Sequence, residues 1–174
     1  MHSEIYHSLG RHLHLHPLGF PETKTGVELK VLEKLFSEEE AKLAVELTPR
    51  AETAEALAKR LGRELPDLLI LLDKMVTKGL ILRVREKGHS HYTMVPFMPG
   101  IWEFQVKAVD KELAEKFEEF LPELQKEIFS AEPPMLRVVP LEKVISVDVG
   151  IEPTTQAAVR SNVYYGNFSD RPSL

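Results

Sequence analysis

The 174 residues suit one domain of ordinary size, or a small domain with appendages, and 43% hydrophobic with 28% charged residues fits a folded rather than a disordered chain. The absence of cysteine excludes a disulfide framework, thiolate catalysis and cysteine-ligated clusters within the sequence. A net charge of −5 weighs against a dedicated nucleic-acid binder, and no apolar run reaches the roughly 18 residues that span a bilayer.

The opening MHSEIYHSLG lacks the basic start and apolar core of a secretory signal, so a cytoplasmic location is expected. Ile5, Leu9 and Leu13 recur at i, i+4 spacing and predict a short amphipathic helix ending before Pro17. PLGFPETKTG then reads as a connector, so residues 1–24 form an N-terminal helix and linker. From Val27 the pattern is helical, with Leu29, Leu32, Leu35 and Phe36 on one face. Ser37 and Glu40 have the spacing of a capping box that opens a second helix running towards Pro49.

Thr53 is the expected cap of the next helix, AEALAKRL, which Gly62 closes. Pro66 fits the first position of a helix over residues 66–78 that stops at Gly79. LILRVRE, KG and HSHYTMV read as strand, tight turn and strand. Helix, helix, short turn, helix and hairpin is the order of a winged helix-turn-helix. The expected fold class is therefore mainly α (α+β): a winged helix-turn-helix over residues 25–98 with a β-hairpin wing, then a C-terminal helical extension over 99–156. Within the extension, Leu113, Phe117, Phe120 and Leu121 share a face and predict one long helix from GIWEF onward, or a pair broken near Pro122. A short strand is expected near residues 136–139, and 157–174 reads as an irregular tail.

ELPDLLILLDKMVTKGLI occupies the place of a DNA-reading helix, yet it is crowded with leucine. At about 100° per residue, Leu65, Leu68, Leu69, Leu72, Met75 and Val76 form the core face. Asp67, Lys74 and Lys78 lie opposite, with Ile70 and Leu71 on the flanks of the outward face. Arg, Asn and Gln, the usual base readers, are missing there. Ile70 and Leu71 are accordingly the candidate protein-contact residues, meeting the extension helix, a second copy or another protein. Full burial stabilises such side chains by roughly 1.5–3 kcal/mol each. The hairpin points the other way. Arg83, Arg85 and Lys87, beside His89 and His91, make a basic wing, and with Lys74 and Lys78 they are candidate phosphate contacts. Charged hairpin edges also guard against edge-to-edge pairing.

Five of the seven histidines fall in the first sixteen residues, and on a helix His12 and His16 form an i, i+4 pair able to ligate zinc or nickel. The pair is a weak signal without a further ligand, and a solvated N-terminal segment is the favoured account of these histidines. No GxSxG, P-loop, GxGxxG or HExxH occurs, so no enzyme activity and no cofactor are expected. SEEE and DKELAEKFEEF read as solvated helix faces, and Trp102 and Phe104 as packing or a stacking platform.

GFPETKTGVELKVLEKLFSEEEAKLAVEL, the turn-helix-hairpin, and especially YTMVPFMPGIWEFQVKAVDKELAEKFEEF resemble the N-terminal region of bacterial and archaeal ferredoxin-like oxidoreductase proteins. The resemblance covers roughly residues 17–156. It implies a winged-helix module and helical linker ahead of a four-iron four-sulfur domain. The cluster-binding cysteines of that family should follow LEKVISVDVGIEPTTQ, and none is present, so the implied electron-transfer role carries over to no residue here. The expectation is a non-enzymatic interaction module like the front half of such a protein, contacting a protein partner or forming a homodimer. The alternative is a winged-helix DNA-binding transcriptional regulator. No membrane association is expected.

Overall fold

The apolar spacing of the first residues folds as the sequence predicts, into α1 (Glu4–His14), with Leu9 and Leu13 fully buried. The computed structural model describes residues 3–16, 18–86 and 88–130. The strand expected at 136–139 and the tail at 157–174 lie outside the described residues, as does Lys87. Among the described residues the chain is mainly helical, with a small three-stranded antiparallel sheet.

Val27 opens α2 (Val27–Leu35), and Ser37 opens α3 (Glu38–Glu46). The capping box is complete: Glu40 N–H donates to Ser37 Oγ at 3.3 Å, and Ser37 N–H to Glu40 Oε2 at 2.8 Å. α1 lies across both helices and supplies donors to the open carbonyls behind them. Tyr6 Oη–H donates to Phe36 O at 2.9 Å, and His12 Nε2–H to Leu47 O at 2.8 Å. Thr53 caps α4 (Ala54–Leu61), and Gly62 ends it in the left-handed conformation. α5 (Leu65–Thr77) follows, packed on α4.

The hairpin consists of β2 (Leu82–Glu86) and β3 (His89–Thr93). A two-residue strand, β1 (Glu52–Thr53), pairs with β3 through Glu52↔Tyr92 and Thr53↔His91. The sequence reading did not foresee it, because two residues are too few to show alternation. The strand order β1-β3-β2 leaves β2 at an edge.

The extension differs from expectation. A wide turn, Phe97–Ile101, and a single helical turn, α6 (Trp102–Phe104), precede α7 (Lys111–Ser130). The break therefore falls before Lys111 and not near Pro122. Asp110 accepts from Leu113 N–H at 2.8 Å, as a helix-opening cap does. Pro122 is exposed, so the hydrogen bond it removes lies on the wet side, where water satisfies the freed carbonyl. Leu113, Phe117, Phe120 and Leu124 are buried, while Leu121 is half-buried. α7 packs on α2, and its aromatics meet Phe20 of the connector and Phe97 of the turn. Phe97 is fully buried, with ring centroids 4.9 Å from Phe20 and 6.0 Å from Phe120. Trp102 stacks on Phe117, so it packs, whereas Phe104 is half exposed.

The end of α5 is tied to this extension. Leu80 N–H donates to Met75 O at 2.9 Å and Gly79 N–H to Val76 O at 3.0 Å, the two bonds of a Schellman motif. Gly79 has φ +71°, and a Cβ there would stand 2.5 Å from the Cβ of Phe104. Buried Gln105 donates from Nε2 to Lys78 O at 3.0 Å and to Ile101 O at 3.1 Å. Gly79→Ala is expected to lower unfolding free energy by roughly 1–3 kcal/mol from the left-handed φ alone, and by more from the contact with Phe104. Urea denaturation checks this, and an unchanged midpoint would contradict the close approach.

Candidate interaction surface

Each turn of α5 presents a buried and an exposed side, and these decide what the helix can offer a partner. Leu68, Leu71, Leu72 and Met75 are buried, while Leu65, Leu69 and Val76 are half-buried. The dry stripe is thus rotated towards Leu71, which lies three residues from Leu68 and four from Met75 on the same face. Leu71 is 6% exposed and is a core residue, which corrects its expected place on the contact surface. Ile70 is 70% exposed, with Pro66, Asp67, Asp73, Lys74 and Thr77 exposed around it. The extension helix does not cover it, because α7 packs on α2.

Lys74 and Lys78 are both paired with an acid of this chain. Glu40, read from sequence as part of a solvated acidic run, has a side chain with no exposed surface. Lys78 Nζ lies 2.6 Å from its Oε2, in a charge-assisted hydrogen bond. Lys74 Nζ lies 3.2 Å from Oε1, an ionic contact without hydrogen-bond geometry. Burial pushes the Glu40 carboxyl up, but the Lys78 bond, the Ser37 N–H, the Lys78 charge and the nearby Lys74 ammonium outweigh it and hold it below 4.5. The pair joins the first turn of α3 to the residue that caps the end of α5. A carboxylate at a helix start and an ammonium at a helix end both sit favourably in the helix dipoles.

On the wing, Arg83 Nη1 donates to Asp73 of α5 at 2.7 Å. Arg85 is exposed and has no ion pair among the described residues. Lys74, Lys78 and Arg83 are therefore held by acids of this chain, and Arg85 alone of the described candidates is unengaged. Beside them the surface is apolar. Leu82 and Val84 stand on one side of β2, each nearly two-fifths exposed. Val76, Thr77, Gly79, Ile81, Leu82, Arg83 and Phe104 line a shallow groove of about 380 Å³ between α5, β2 and α6, mixed polar and apolar.

The histidine pair lies together at the end of α1. The rings of His12 and His16 lie edge to face with centroids 6.0 Å apart, and His12 Nε2 is engaged by Leu47 O. Among the described residues no group of three or more His, Cys, Asp or Glu side chains converges. His16 is buried, and that burial, with His12 beside it, holds its ring below the ordinary 6.5. Among the described residues no helix is long and apolar enough to cross a membrane. No protein-family model matches the chain, and no curated protein matches it.

Two outcomes follow from these charges. The lowered Glu40 value means that its stabilisation is present above about pH 4.5 and is lost as pH falls through the folded value. Lys78→Met should cost about 2 kcal/mol, less than the rupture of a fully buried pair because Lys78 is partly exposed. The variant should also show a smaller acid-induced loss as pH falls below about 4.5 in urea titrations. For His16 the sign is likewise fixed. The unfolded chain binds the proton more readily, so stability falls as pH drops below 6.5. His16→Gln should flatten that decline, and a decline of unchanged slope would contradict the assignment.

Proposed function

We propose that residues 25–98 form a winged helix-turn-helix used for protein contact, a non-enzymatic interaction module that engages a partner or a second copy through the outward face of α5. The observation that carries this reading is Ile70, 70% exposed at the middle of the face where a base reader would stand. Burying it is favourable against protein and gains nothing in a wet groove. The charge pattern supports the same reading. A phosphate binder presents unpaired cations, whereas Lys74, Lys78 and Arg83 are each within 3.2 Å of an acid of this chain. In this proposal the ferredoxin-like resemblance supplies the setting, an adaptor like the front half of such proteins without a cluster of its own.

A DNA-binding regulator is the second reading, favoured by Arg85, which is exposed and has no ion pair among the described residues. Titration of mixed duplex DNA at low and moderate salt, with light scattering on the same samples, separates the two. The contact reading expects no DNA binding at low salt. It also expects Ile70→Asp to abolish self-association or partner capture while leaving the unfolding midpoint unchanged. Salt-sensitive DNA binding that Arg85→Ala weakens on every sequence would favour the regulator instead.

A further inference from the structure

We propose that the free edge of β2 is a docking site for an extended acidic segment of a partner protein, which adds to the sheet as a fourth strand. The proposal rests on the protein-contact reading above and names the chemistry of the partner. Among the described residues β2 is hydrogen-bonded to β3 on one side only, from Leu82↔Thr93 to Glu86↔His89. Among the described residues no backbone hydrogen bond from outside the sheet reaches it. An unpaired row of N–H and C=O groups is the surface on which strand addition occurs.

The side chains along that edge specify what would pair. Leu82 and Val84 lie on one face of the strand, Arg83 and Arg85 on the other, since successive residues alternate. Residues opposite one another on neighbouring strands share a face. An added strand would therefore set apolar residues beside Leu82 and Val84 and acidic residues beside Arg83 and Arg85. Arg85 is exposed with no ion pair among the described residues, and Arg83 has committed one guanidinium nitrogen to Asp73. The groove lined by Val76, Thr77, Arg83 and Phe104, mixed polar and apolar, continues past Leu82, where the end of the segment would rest.

A second copy of this chain is a poor occupant of the same edge. Two antiparallel β2 strands related by a two-fold axis normal to the sheet keep their faces. With the axis through Val84, each Arg83 meets an Arg85. With it through Arg83 or Arg85, that arginine meets its own copy. Like charges directly opposite are destabilising in every one of these registers.

The test uses the full chain and a fluorescent peptide of alternating valine and glutamate, followed by anisotropy. Two control peptides replace glutamate with lysine, or carry N-methyl groups on alternate residues so that ladder bonds cannot form. The acidic peptide should bind saturably and slow amide exchange in β2. N-methylation of the peptide, or Arg85→Glu in the protein, should each raise Kd by about tenfold or more. Arg85 is exposed, so its variant should unfold at the wild-type midpoint. Equal binding of the lysine peptide, indifference to N-methylation, or binding of duplex DNA in place of the acidic peptide overturns the proposal. If no peptide binds while Ile70→Asp still breaks an assembly, the strand site is wrong and the α5 contact stands. If Ile70→Asp breaks nothing while the acidic peptide binds as described, the reverse holds.

Discussion

A carboxylate with no exposed surface sets the terms for the rest of this structure. Glu40 is taken out of water at the start of α3 and must be compensated there, because an uncompensated buried charge is among the costliest defects a small domain can carry. Its own capping box supplies one donor, and the end of α5 supplies two ammonium groups. α3 and α5 are thereby held end to end, and the lysines of α5 cannot serve two masters. The same constraint that orders the helices removes positive charge from the surface on which a nucleic-acid binder relies.

The local elements were largely legible from sequence because each carries a strong local signal. Ser37 with Glu40, Thr53 with Gly62, and Pro66 with Gly79 mark helix ends by short-range chemistry, and the observed helices fall within a residue or two of those marks. The hairpin was equally plain. What the sequence concealed depends on contacts between distant residues. β1 is two residues long and exists only because β3 lies beside it. Pro122 looks like a helix breaker, and only its exposure reveals why α7 passes through it. Asp110, a capping residue in plain view, was the better mark of where that helix begins.

The candidate surface was legible in part. Ile70 was singled out correctly as outward-facing, while Leu71 was displaced by a rotation of the dry stripe that a neighbouring residue's angle cannot resolve. A helix wheel divides a circle into faces by assumption; the real dividing line depends on what packs against it, and here α5, packed on α4, has Leu71 in its dry stripe. The lysines illustrate a different limit. Nothing in Lys74 or Lys78 betrays that their partner lies 34 or more positions earlier, since ion pairing across a fold leaves no spacing rule behind. Gln105 is a similar case, an unremarkable amide that closes the end of α5 from the extension.

The aromatic centre has a consequence for how this chain could be divided. Phe20, Phe97, Phe117 and Phe120 come from the connector, the turn after the hairpin and the long helix, and they meet at one place. A boundary near residue 98 is a reasonable seam in a list of elements. In three dimensions it runs through the middle of the dry interior. Fragments cut there would each inherit half an interior, one keeping Phe20 and Phe97 and the other Phe117 and Phe120. Loops that join such remote segments are costly to close, so they form together or not at all. The unit of inheritance, of proteolytic survival and of any useful recombinant fragment therefore runs from α1 through α7 without interruption.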